Sequence, residues 1–116
     1  MPLRVVDHTR GVIIADRAEV ANTNESRRRG LLGRASIGER EGLWIVPCSS
    51  IHTVGMQFAI DVLFIDRDGR IIHVNALSPD VKSFVLAGAY SVLELAHGRA
   101  AACGVQLGDL LLFQRV

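Results

Sequence analysis

The sequence predicts a mainly β (α+β) fold, a compact β barrel or sandwich with one principal side helix and a short helical turn. Three observations carry that expectation. Val- and Ile-rich runs of strand length recur along the 116 residues and are separated by turn residues. Residues 58–66 and 70–76 flank Arg67, Asp68 and Gly69, the spacing of a three-residue hairpin loop with glycine at the left-handed position. One segment, residues 24–32, carries a strong helix signal. Six or more strands with one such helix bury a single core by curling or stacking the sheet and laying the helix on its side. A chain of this length makes one domain, residues 1–116, and not two.

The elements follow in order. "LRVVDH" and "GVIIADRAEVA" read as two strands around a tight turn at Thr9, Arg10 and Gly11. In "NTNESRRRGLLGR", Asn22 with Glu25 resembles a capping box and Gly33 is placed to stop the helix. Its three consecutive arginines point three ways around a helix and so predict a solvated surface rather than one basic face. "LWIVP" is a short apolar strand ended by Pro47. In the hairpin, placing Asp66 opposite Arg70 pairs Phe64 with Ile72, Val62 with Val74 and Ile60 with Ala76 on an apolar face. The other face then carries Leu63 beside His73 and Asp61 beside Asn75. "NALSPDVKS" reads as loop, "FVL" and "YSVLELA" as strands around a turn, "GRAAACG" as a short helix stopped at Gly104, and "LLLFQRV" as the last strand.

Composition narrows the function classes. A net charge of +1, from 13 basic and 12 acidic residues spread along the chain, provides no field to attract nucleic acid or an anionic membrane, and neither is expected as a partner. No run approaches the roughly 18 apolar residues of a membrane span, and "MPLRVVDHTRG" lacks the features of a signal peptide, so a soluble, cytoplasmic protein is expected. Twelve of the 13 basic residues are arginine, Lys82 being the one lysine, a bias ascribed to weakly specified surface charge. Cys48 and Cys103 are too few for a disulfide framework and are expected to stay reduced and unbonded.

The helix "SRRRGLLGR", the box "IHTVGMQFAIDVLFIDRDGRI", the strand "VLELAHG" and the terminal "GVQLGD" occur in this order. With them the chain resembles the DUF192 (UPF0127) family of uncharacterised proteins across nearly all of residues 17–116. In the commoner form of that family the helix ends in Gly-Leu-Met, and the central box carries Trp-Met, Asn-Thr and Pro-Leu-Asp. Gly30, Leu31 and Asp61 match, whereas His52, Gly55, Met56 and Ala59 depart. The resemblance implies a mostly β fold with a side helix and implies no activity.

The candidate chemistry centres on "PCSSIHTVGM". Cys48, His52 and Met56 recur at four-residue intervals, on one face of a strand and roughly along one side of a helix. Thiol, imidazole and thioether are ligands that suit copper, and the first two also suit zinc, so Cys48, His52 and Met56 form a candidate metal set. Cys48 as nucleophile with His52 as base is the enzyme reading. The plain alternative packs Cys48 and Met56 in the core. Asp61 lies between Ile60 and Val62, and Glu94 between Leu93 and Leu95, so both carboxylates are expected buried and in need of partners, with a helix arginine available to serve them. For Asp61 the expected structural role is to accept backbone or Asn75 hydrogen bonds. Cys48, His52, Asp61 and Glu94 are expected to border one ligand-binding concavity. Three classes follow in order: a small-molecule or metal-binding β domain, a thiol-dependent enzyme using Cys48 and His52, and a protein-interaction module. The partner is thus an unidentified small molecule or protein, and no cofactor is named.

Overall fold

The computed structural model describes residues 2–81 and 84–115; Lys82 and Ser83, in the expected loop, lie outside them. The chain runs β1 (Leu3–Asp7), β2 (Val12–Ala21), α1 (Asn24–Arg29), β3 (Glu41–Ile45), β4 (Ser50–Ile51), β5 (Ile60–Ile65), β6 (Ile71–Leu77), β7 (Phe84–Val85), β8 (Ser91–Ala96), α2 (Arg99–Cys103) and β9 (Leu111–Arg115). Seven strands form one mixed sheet in the order β6-β5-β8-β3-β2-β1-β9, and β4 pairs with β7 as a separate ribbon. Among the described residues only β2 and β3 run parallel, because the connection between them, containing α1, crosses over instead of turning back.

The sheet curls into a half-barrel. Trp44 of β3 stacks on Phe113 of β9 at 3.9 Å across the curl, although two strands separate them in the sheet. At one end the outer strands meet: Ile71 N–H donates to Asp109 O at 2.9 Å and Leu111 N–H to Gly69 O at 2.8 Å. Gly69 is required there twice over. Its φ is 90°, and a Cβ would sit 3.1 Å from the Leu111 carbonyl oxygen. The hairpin glycine legible in the sequence therefore also lets β9 approach.

Both faces of the central strands are buried, since β5 exposes none of its six residues. Inside the curl, Val5, Ile14, Leu63, Ile65, Leu93 and Leu95 pack with Ala100 and Cys103 of α2. On the outer face Leu43, Ile45, Ile60, Val62, Phe64 and Val92 pack under Leu31, Ile51 and Met56 from the connections. The expectation of one apolar core face on the hairpin is thus replaced by two.

The hairpin register also differs. Asp66 N–H does bond to Arg70 O at 2.9 Å, but a bulge between Phe64 and Ile65 shifts the remaining pairs by one residue. Phe64 lies opposite His73, Val62 opposite Asn75 and Asp61 opposite Ala76. His73 and Asn75 are therefore not the cross-strand neighbours of Leu63 and Asp61. The helix cap is displaced in the same way. Thr23, in extended backbone, accepts from Ser26 N–H at 3.0 Å while Ser26 Oγ accepts from Thr23 N–H at 3.0 Å. The box is Thr23 with Ser26 rather than Asn22 with Glu25, and Gly30 rather than Gly33 ends the helix.

Candidate functional site

Strand alternation fixes Glu94 as the unusual residue of the sheet. Leu93 and Leu95 point into the curl, so Glu94 points out with Val92 into the second apolar cluster. Its partners on the flanking strands are Leu43 and Val62. Glu94 is 1% exposed, and its Oε1 has no hydrogen-bond partner. Burial pushes its carboxyl up to about 8, which makes it an uncharged acid at neutral pH.

The arginine expected to pair with it lines the same cleft but bonds elsewhere. Arg27 donates from Nη1 to Pro47 O at 2.9 Å and from Nη2 to Asn24 Oδ1 at 2.6 Å. Its Nε is buried and donates to nothing. Glu94 and Arg27 instead border the same cleft of about 60 Å³, shared with Gly30, Cys48, His52 and Met56. Arg28 and Arg29 also line its edge but are exposed, and Arg29 pairs with Glu25 at 3.7 Å, in keeping with the solvated helix surface expected from the sequence.

The roof of the cleft depends on Gly30. With φ 50° and ψ −127° it occupies a conformation restricted to glycine, and a Cβ there would lie 4.0 Å from Glu94 Oε1. The turn that ends α1 thereby brings Leu31 down onto the outer core, where it is 2% exposed. One wall is the segment after the cis Val46–Pro47 bond. Thr53, fully buried, pins that segment by donating from Oγ1 to Ser78 O at 2.6 Å and accepting from Val81 N–H at 2.8 Å.

The cleft thus gathers Cys48, His52, Met56 and Glu94, four of the five residues singled out in the sequence. Their chemistry is narrower than the residue types suggest. The half-buried Cys48 thiol donates to Ser50 O at 2.8 Å, and burial pushes its pKa up, away from the thiolate a nucleophile needs. His52 is exposed and Met56 is a buried member of the core. Among the described residues no group of three or more His, Cys, Asp or Glu side chains is placed to hold a metal ion. Both cysteines are free.

Asp61 is not in the cleft. It faces the inside of the curl, where Oδ2 accepts from Gly98 N–H and Ala100 N–H, both at 3.0 Å, and His97 Nδ1 lies 3.3 Å from Oδ1. The expectation that Asp61 borders the same concavity as Glu94 fails because the two residues alternate to opposite faces. Its expected role as an acceptor of backbone hydrogen bonds holds, with α2 supplying the donors.

Sequence reasoning missed Arg27 and Gly30 as parts of the cleft. The signal available was a glycine directly before Leu31 at the end of a helix. It also missed a buried carboxyl pair at the far end of the sheet. Asp109 accepts from Arg10 Nε at 2.7 Å and Nη2 at 3.2 Å. Burial and the hydrogen bond with Asp109 push Asp7 up to about 6. Asp109, despite its burial, is held lower by its hydrogen bonds with Asp7 and Arg10.

Comparison with known proteins gives the following. Residues 5–113 match the DUF192 family, described as "Uncharacterized ACR". No curated protein matches the chain. A protein of unknown function from Novosphingobium aromaticivorans is 28% identical, with a TM-score of 0.81 over 97% of this chain and 84% of that one. A "putative transcription regulator" from Sinorhizobium meliloti is 23% identical, with a TM-score of 0.83 over 96% of this chain and 91% of that one, and shares the fold. No helix among the described residues is long and apolar enough to cross a membrane.

Proposed function

The chain belongs to the DUF192 family, and on that premise we propose that it is a small-molecule-binding β domain whose site is the cleft between α1 and the outer face of the sheet. The observation that carries this reading is the buried, unpartnered Oε1 of Glu94, a residue that lines the cleft. A buried polar group without a partner costs about 1–3 kcal/mol. A fold that keeps one beside an opening has a use for it that packing does not supply. Cys48 and His52 stand at the mouth and Met56 against the apolar wall. A molecule that enters supplies the hydrogen bond that Glu94 lacks. The raised pKa of Cys48 and its bond to Ser50 support binding over thiol catalysis.

Native mass spectrometry of untagged protein tests this, with Cys48→Trp as the blocked control. We expect wild type to retain or take up a small mass from a cell extract and the filled variant to take up none while keeping its far-UV spectrum. Equal uptake by both proteins, or uptake by neither, overturns the reading.

A further inference from the structure

Resting on that reading, we propose that the cleft takes the carboxylate head of a small organic anion, held between the Arg27 guanidinium and the Glu94 carboxyl. Two residues that line the cleft each hold a buried polar atom without a partner, Arg27 Nε and Glu94 Oε1. The first is a donor only. The second belongs to an acid that burial keeps protonated at neutral pH, so it too has a hydrogen to give. A carboxylate presents two acceptor oxygens side by side and satisfies both.

Charge points the same way. The cleft is lined by Arg27, Arg28 and Arg29; Arg28 and Arg29 are exposed and Arg29 pairs with Glu25 at 3.7 Å, so the half-buried Arg27 is the cation that carries the charge argument, and among the described residues no acid other than Glu94 lines the cleft. A cationic head would meet only repulsion until Glu94 ionised. The end of α1 that borders the cleft is its C-terminus, whose carbonyl dipole disfavours an anion, but such a dipole amounts to about half a charge at most. A single guanidinium outweighs it. The titratable and charged groups that share the cleft with Glu94 are these arginines from α1, Cys48 before β4 and His52 after it, and its cross-strand neighbours are the apolar Leu43 and Val62.

Size selects the head group and leaves the tail outside. A cleft of about 60 Å³ accommodates a carboxylate and little more. Cys48, Ser50 and Arg27 are shared with an open groove that continues past Pro47 to Arg67 and Tyr90. There the Arg67 guanidinium lies 4.5 Å from the Tyr90 ring centroid, offering a second cation and an aromatic plane to whatever follows the carboxylate.

The test is a titration of the full chain with acetate, propionate and benzoate, beside acetamide and methylammonium, followed by backbone amide NMR at pH 6 to 9. We expect saturable shifts at Gly30, Cys48 and Ile51 with the carboxylates, and at least about tenfold weaker binding of the neutral and cationic probes. Carboxylate affinity should fall about tenfold per pH unit above about 8, where Glu94 loses its proton. Glu94→Gln keeps an N–H to donate and should bind without that pH dependence. Arg27→Gln should bind at least about tenfold more weakly. Tighter binding of acetamide or methylammonium in the cleft overturns the anion assignment and leaves the small-molecule reading standing. If no probe moves these amides while wild type still takes up a small mass, the carboxylate proposal alone falls. If nothing binds by either method, both fall.

Discussion

Asp61 and Glu94 stand on adjacent strands one register step apart, Leu95 being the partner of Asp61 and Val62 that of Glu94, and they face opposite sides of the sheet. Each is a buried acid among leucines and valines, and the two meet the cost of burial differently. Asp61 receives two backbone N–H groups from the turn into α2. Glu94 receives none and keeps its proton instead. One acid builds the fold, and the other is left for the cleft.

The Glu94 carboxyl makes stability depend on pH. Its folded value, about 8, lies above the ordinary glutamate value of 4.5, so between these values the native state holds a proton that the unfolded state has lost. Stability contributed by this group is complete below about pH 4.5 and is lost as pH rises through about 8, at about 1.4 kcal/mol per unit. Denaturant midpoints between pH 6.5 and 8 should fall for wild type and stay flat for Glu94→Gln. Parallel profiles would show that Glu94 titrates normally.

Asp61→Ala strands the N–H groups of Gly98 and Ala100 at the start of α2. The expected loss is about 1–3 kcal/mol, read as a lower denaturant midpoint, with binding in the distant cleft preserved in the folded fraction. A midpoint within experimental error of wild type would remove Asp61 from the structural account.

Cys48 should be a slow nucleophile. Its thiol is half-buried, bonded to Ser50 O and pushed up by burial, so alkylation by iodoacetamide at pH 7.5 should be at least about tenfold slower than for a free thiol. Cys103, buried in the curl, should label only on unfolding. Fast labelling of Cys48 that depends on His52 would instead favour the thiol-enzyme reading.

Gly30→Ala places a Cβ at φ 50° and ψ −127°, a conformation that costs a non-glycine residue about 1–3 kcal/mol. The melting temperature should fall, and ligand uptake should weaken with it, because the same turn roofs the cleft. An unchanged melting curve would mean that the backbone relaxes to another turn.

The hairpin, the helix and the strand around Glu94 were legible because each rests on local chemistry: Gly69 in a three-residue loop, a polar run rich in capping residues even though the box is Thr23 with Ser26 and not Asn22 with Glu25, and alternating leucines about an acid. The register of β5 on β6 was not, because a single bulge between Phe64 and Ile65 moves His73 and Asn75 by one position and carries no sequence mark. The cleft was half legible. Cys48, His52 and Met56 border one cleft, although only Ser50–Ile51 between them is strand, so their four-residue spacing does not place them on one strand or helix face. That Glu94 joins them and Asp61 does not depends on which face the long-range partners of β8 and β5 cover. The expected arginine partner of Glu94 was placed at the right helix and proved wrong in its bonds, since the Pro47 carbonyl and Asn24 take the Arg27 donors first.

The helix over the cleft buries none of its six residues and belongs to the crossover between β2 and β3. Unwinding it breaks no hydrogen bond of the sheet. Local opening of residues 23–30 is therefore expected to lie far below global unfolding on the free-energy scale, and under the proposed function it gives an occupant of the cleft a route in and out. The amides of α1 should exchange with solvent orders of magnitude faster than those of β5 and β8. Protection of α1 would then act as a clock for the residence time of whatever the cleft holds.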